Sequence, residues 1–202
     1  MSAVLQVRGV DKSFDGKVLD GVDVDVHEGE IVVLLGRSGS GKTTLLTIVT
    51  DFDRPDAGTV EHVHGTGWRE LAVLPQSLGL LPELTVAENV AMPLRLDRAD
   101  EDVRPLLERL GLAHLAGRYP SETSLGEQQR TALARAVVVR PTLLVADEPV
   151  SHQNRAWAEA MMALVRERAD DGTACLLATH DEVAIGAADR VLELHDGRLR
   201  AH

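Results

Sequence analysis

Eight consecutive residues carry the clearest chemistry in this chain: Gly36-Arg37-Ser38-Gly39-Ser40-Gly41-Lys42-Thr43 matches G-x-x-x-x-G-K-[ST] at every position. Glycines at this spacing let a loop turn tightly and point its backbone N–H groups inward. A helix opening at the end of such a loop adds positive potential. The loop is therefore predicted to cradle the phosphates of a nucleotide, with Gly36, Ser38, Gly39, Ser40, Gly41 and Thr44 around them. Lys42 would reach the β- and γ-phosphates as a compact charge, and the Thr43 hydroxyl would hold Mg²⁺. Lys42 is one of 3 lysines in a chain with 18 arginines, so a lysine at this place goes against the habit of the sequence.

A second cluster lies about 100 residues downstream, where Leu143-Leu144-Val145-Ala146 runs into Asp147-Glu148. An apolar strand ending in two carboxylates suits phosphoryl transfer. Asp147 would bind Mg²⁺ through water, and Glu148 would orient or deprotonate an attacking water. Acidic residues close many strands, and it is the upstream loop that gives this pair its meaning.

These groups need a scaffold that brings distant strand ends together. Residues 31–35 form a short continuous apolar run ahead of the glycine loop, and residues 43–50 read as the helix after it. Residues 4–7 and 22–26 alternate and read as strands. The middle of the chain differs: residues 86–96, 103–112 and 127–139 have helical spacing, so a mostly helical insertion is placed over residues 77–140. Residues 143–146 and 174–178 return to short apolar strands, with a helix over 155–169 between them. Residues 191–194 and 198–200, joined by Asp196-Gly197, read as a closing hairpin. The alternation of strands and helices outside the insertion predicts an α/β sheet with helices on both faces.

Bulk properties narrow the classes. A chain of 202 residues suits one domain, and 44% hydrophobic residues with 2% aromatic require a core of Leu, Val and Ala. A net charge of −11 argues against a general attraction to nucleic acid or anionic lipid. One cysteine, Cys175, rules out a disulfide within the chain and fits a reducing compartment. The first ten residues lack the charged start and long apolar run of a signal segment. No stretch reaches the roughly 18 apolar residues of a membrane span. The expectation is a cytosolic protein whose attachment to a membrane comes through a partner.

At this point the sequence resembles the ATP-binding cassette (ABC) family over essentially its whole length, as the ATP-binding subunit of a transporter. The resemblance rests on the two clusters above and on smaller matches in the family's order: Lys12-Ser13-Phe14, Leu74-Pro75-Gln76, PSETSLGEQQRTALARA from Pro120 to Ala136, and Ala178-Thr179-His180-Asp181. It implies that Phe14 stacks on adenine, that Gln76 touches Mg²⁺ and water and links to a membrane subunit, and that His180 contacts the γ-phosphate. It implies that Ser124 and Gly126 face the ATP of an opposite subunit. The implied fold is α/β, a P-loop NTPase core with a mixed sheet and helices on both faces, plus an N-terminal antiparallel β portion and a helical subdomain insertion. Residues 1–202 would form a single ABC ATPase domain, with 1–76 and 141–202 as core and 77–140 as helical subdomain. Two such subunits would sandwich ATP head to tail and drive a membrane permease. The chain would itself not bind nucleic acid or insert in the membrane, and would sit peripherally on the inner face of the cell membrane. Residues 78–96 (LGLLPELTVAENVAMPLRL) look closest to the branch serving lipoprotein release, macrolide export and peptide efflux.

Two stretches depart from the family. Its signature usually reads L-S-G-G-[QE], and here Thr123-Ser124-Leu125-Gly126-Glu127 puts Leu125 in place of a glycine. The Leu125 side chain would obstruct a close backbone approach, and any φ > 0 geometry there would cost about 1 kcal/mol or more, whereas at a helical position pointing away leucine would be harmless. After Glu148 the chain reads Pro149-Val150-Ser151-His152-Gln153-Asn154, with Asn154 in place of the aspartate that helps join the two sites of the dimer. Three functions stay open on these residues: a transporter ATPase, a soluble ABC ATPase not coupled to transport, and a regulatory or weakly hydrolysing ATP-binding subunit.

Overall fold

The computed structural model describes residues 2–62, 64–67, 69–99 and 101–201. Alternating residues open the chain as β1 (Ala3–Ser13) and β2 (Lys17–His27), paired antiparallel. Both strands run well beyond the expected 4–7 and 22–26, carried past polar positions by irregularities in their register. The apolar run gives β3 (Ile31–Leu35), and the glycine loop leads into α1 (Lys42–Val49). Two strands then follow that the sequence pattern does not announce. The mostly exposed β4 (Ala57–His62) pairs with β1, and the four-residue β5 (Leu71–Leu74) is an edge strand of the main sheet.

Between β5 and β6 the described residues form helices and turns only. These are α2 (Val86–Leu96), α3 (Arg104–Arg109), 3-10 turns at Ala113–Leu115 and Pro120–Glu122, and α4 (Leu125–Val137). Helix α3 is shorter than the expected 103–112. Gly111, at φ +67°, ends it by donating its N–H to the Glu108 carbonyl, while Leu112 donates to the Leu107 carbonyl and packs in the core beside it. The chain closes with β6 (Leu143–Asp147), α5 (Arg155–Asp170), β7 (Ala174–Ala178), α6 (Glu182–Gly186), β8 (Arg190–His195) and β9 (Arg198–Ala201). The turn between β8 and β9 has Asp196 and Gly197 both at positive φ, as a two-residue hairpin loop demands.

The main sheet has the order β5-β6-β7-β3-β8-β9, parallel except for β9; a second, antiparallel sheet has the order β2-β1-β4. The apolar runs are explained by burial on both faces. From β3, Ile31 and Val33 join one core with α4, α5 and the helices of the insertion. Val32 and Leu34 join another with α1 and the antiparallel sheet. The fold is thus α/β with a mixed sheet, helices on both faces and an antiparallel β portion. With these two cores filled, the loops at the C-terminal ends of β3, β6 and β7 are left to form a site.

Candidate functional site

The loop from β3 to α1 is shaped by positions where a side chain cannot fit. A Cβ on Gly36 (φ +154°) would stand 2.5 Å from Ser40 Oγ and 2.7 Å from the Leu194 carbonyl. Gly41 takes φ +102° directly before the first turn of α1. Lys42 Nζ curls back over the loop and donates to the carbonyls of Gly36 (2.7 Å) and Arg37 (3.2 Å). The lysine charge is thereby held at the loop mouth.

The acidic pair arrives from β6, two strands away across β7. Thr43 Oγ1 donates to Asp147 Oδ2 at 2.7 Å, joining the two sequence clusters in one contact. Glu148 leaves the strand with φ +52° and donates its N–H to the Ala178 carbonyl. Its carboxylate accepts from Thr179 Oγ1 at 3.0 Å and lies 2.9 Å from His180 Nδ1. The His180 side chain is otherwise open to solvent. Gln76, two residues past β5, lines the same cleft of about 670 Å³ as Gly36, Ser38, Gly39, Ser40, Gly41, Lys42, Thr43, Thr44, Asp147, Glu148 and His180.

Three expected residues lie elsewhere. Phe14 is 64% exposed, so it is no core residue. It does not line the cleft, although Val18, just past the same turn, does. Lys12 Nζ lies 5.3 Å from the Phe14 ring centroid. Ser124 and Gly126 are also outside the cleft of their own chain. Ser124 is the N-cap of α4. Its hydroxyl accepts from the Glu127 N–H and donates to Glu127 Oε2, which also accepts the Ser124 N–H at 2.7 Å. That N–H, and then the hydroxyl, hold the Glu127 carboxyl below its ordinary range. Leu125 is the first helical residue, half exposed and outside the positive-φ region, so the strain considered for a leucine here does not arise. Asn154 is the N-cap of α5, accepting from the Trp157 N–H at 3.0 Å.

Two residues at the site escape sequence reasoning. Thr179 is visible only as the neighbour of His180. Gln129 reads as part of the polar face of a helix, yet it is buried and donates to the Glu148 carbonyl at 2.6 Å. A further feature lies beside the cleft. Phe52, 74% exposed, borders a groove of about 600 Å³ lined by Leu71, Val73, Met92, Pro93 and Val139. Among the described residues no helix is long and apolar enough to cross a membrane.

With that geometry in hand, comparison with known proteins is specific. The profile of the family described as ABC transporter matches residues 19–151. The lipoprotein-releasing system ATP-binding protein LolD of Shewanella frigidimarina (strain NCIMB 400) is 40% identical, over 98% of this chain and 92% of its own. LolD of Bordetella avium (strain 197N) is also 40% identical, over 98% and 96%. A solved dimeric ATP-binding cassette, in a post-hydrolysis state bound to ADP and Pi, is similar with a TM-score of 0.87 and 27% identity over 98% of each chain.

Proposed function

Because the chain belongs to the ABC transporter family, as a subunit that binds and hydrolyses ATP to power a membrane transporter, we propose a division of labour among the residues of its cleft. Lys42 and the N–H groups of the loop bind the β- and γ-phosphates. Glu148 takes a proton from the attacking water, and His180 orients the γ-phosphate. Thr179 fixes the Glu148 carboxylate. The observation that carries this reading is the Thr43–Asp147 contact, which sets the phosphate loop and the acidic pair within one hydrogen bond of each other.

The same contact bears on the metal. A hydroxyl and a carboxylate side by side, with the Gln76 amide in the same cleft, are the all-oxygen donor set that a small hard cation takes. Thr43, Asp147 and Gln76 would hold Mg²⁺, which would supply neutralisation of phosphate charge. Ser124 and Gly126, outside their own cleft and at a helix start, would serve the ATP of a second ABC subunit. ATP binding would close this dimer and hydrolysis would loosen it, with residues 77–140 moving as the helical subdomain. Phe14 remains the adenine-side candidate.

The membrane permease would dock on the groove beside Phe52, which begins at the edge strand leading to Gln76. The chain would then sit peripherally on the inner face of the cell membrane. The LolD relatives, named as ATP-binding proteins of a lipoprotein-releasing system, support lipoprotein release as the transport task. The helical placement of Leu125 speaks against a merely regulatory subunit, since it removes the strain that would have disabled the signature.

ATP turnover of the purified chain with its permease tests the assignment. Glu148→Gln should lower the rate by at least about 100-fold while ATP still binds. Equal rates in both proteins would remove Glu148 from the chemistry.

A further inference from the structure

Gln153 stands where the loop after the acidic pair meets the start of α4. Its Nε2 donates to the Gly126 carbonyl at 2.8 Å and to Gln129 Oε1 at 3.3 Å, and its Oε1 accepts from Arg130 Nη1 at 2.9 Å. Arg130 in turn lies over the Trp157 ring, 4.3 Å from its centroid. Gln129 extends the set: it donates to the Glu148 carbonyl and to Ser151 Oγ, and accepts from the His152 N–H. A continuous chain of amide contacts thus connects the backbone of Glu148 with that of Gly126. The junction is also tight, because a Cβ on Gly126 would stand 3.1 Å from the His152 carbonyl and 3.4 Å from Gln153 Nε2.

We propose that Gln153 is a positioning residue for the half-site this chain offers to a second subunit. Leu125 and Gly126 are the first two residues of α4, so their N–H groups have no partner within the helix and are free to meet an anion. Their aim depends on how the start of α4 is held. Ser124 and Glu127 hold it from within the helix, while Gln153 holds it from the loop that carries Glu148. A leucine at position 153 could fill the space and make none of the three bonds. Together with Gln129, the side-chain amide of Gln153 therefore ties the exposed, altered signature segment to the hydrolytic segment of the same chain, and Gln153 alone does so at Gly126. This inference rests on the dimer reading given above.

The test uses Glu148→Gln protein, which should bind ATP without turning it over, and sedimentation with ATP and Mg²⁺. Adding Gln153→Leu should weaken the ATP-dependent dimer about tenfold, the effect of losing one to two net hydrogen bonds. Affinity of the monomer for a fluorescent ATP analogue should stay within about twofold, since Gln153 does not touch the phosphate loop. Gln153→Glu keeps a partner for Arg130 but sets a carboxylate oxygen against the Gly126 carbonyl. It should weaken the dimer at least as much as Gln153→Leu while monomer ATP affinity stays within about twofold. Unchanged association in Gln153→Leu would overturn the inference alone. Parallel loss of thermal midpoint, monomer ATP affinity and association would do the same, leaving Gln153 a packing residue. Absence of ATP-driven association in the Glu148→Gln parent would overturn the dimer reading, and the inference with it.

Discussion

Lys42 illustrates what a single residue does at this site. Its ammonium already rests on the Gly36 and Arg37 carbonyls, so ordering it for phosphate takes little further entropy. Lys42→Ala should weaken ATP binding by roughly 10- to 100-fold, corresponding to about 1.5–3 kcal/mol for hydrogen bonds from a charged donor. Calorimetric titration measures it directly. Glu148 shows the other side of residue-scale design. It adopts a left-handed conformation at a cost of about 1–2 kcal/mol, offset by bonds to its N–H, its carbonyl and its carboxylate. Cys175 takes no part: burial pushes its thiol up to about 12, which leaves no thiolate to react at neutral pH.

Among the elements, α4 carries the most consequence, because Gln129 and Arg135 on it hold the loops after Glu148 and after Gln76. At its start, Glu127 closes the capping box with Ser124. Its carboxyl is held below the ordinary value, so the stabilisation is present above the unfolded carboxylate range and is lost as pH falls through the depressed folded value. Glu127→Gln should therefore lower the thermal midpoint at pH 7 by about 2–4 °C, for a cap of about 1 kcal/mol. The gap to the parent protein should narrow as pH falls below the unfolded carboxylate range and close once the folded Glu127 carboxyl is protonated. A gap independent of pH would show that the charge of Glu127 is not what the cap uses. Further along, Arg135 donates to the carbonyls of Leu78 and Gly79, just past Gln76. Leu78 sits at φ +62°, a geometry that a leucine rarely takes without support. Arg135→Met would leave both carbonyls unpaired and should destabilise by about 2 kcal/mol, or about 4–8 °C in a thermal melt.

For the whole molecule, the arrangement of surfaces matters more than any one contact. The cleft, the start of α4 and the groove beside Phe52 are three surfaces proposed for ATP, a second subunit and a permease, and the groove adjoins the cleft, because Phe52 also lines a smaller pocket with Thr43, Gln76 and Asp147. Phe52→Asp should reduce co-purification with the membrane partner at least about tenfold, as expected for a buried aromatic anchor. ATP affinity of the isolated chain should fall far less than this, because Phe52 shares a side pocket with Thr43, Gln76 and Asp147 but does not line the cleft of the phosphate loop itself. Loss of ATP binding in this variant would mean that the groove and cleft are one site. With a net charge of −11, any attachment to an anionic membrane would come from such a specific contact and not from general attraction.

The sequence by itself determined the phosphate chemistry of this protein and the class of its fold. Gly36 to Thr43 and Asp147-Glu148 are local patterns, and the apolar runs of β3, β6 and β7 report burial on both faces because a two-sided environment forces every position to be apolar. Tertiary structure alone decided what each of the odd residues means. Leu125 could be a strained residue at φ > 0 or an ordinary helical one, and only the capped start of α4 makes it the second. Gln129 and Gln153 are unremarkable polar letters until α4 and the loop after Glu148 are brought side by side, since their partners are 19 and 27 residues away in the chain. Strands β4 and β5 escaped for the same reason: exposed or very short edge strands are held by pairing with a neighbour, which leaves little periodic trace in their own sequence.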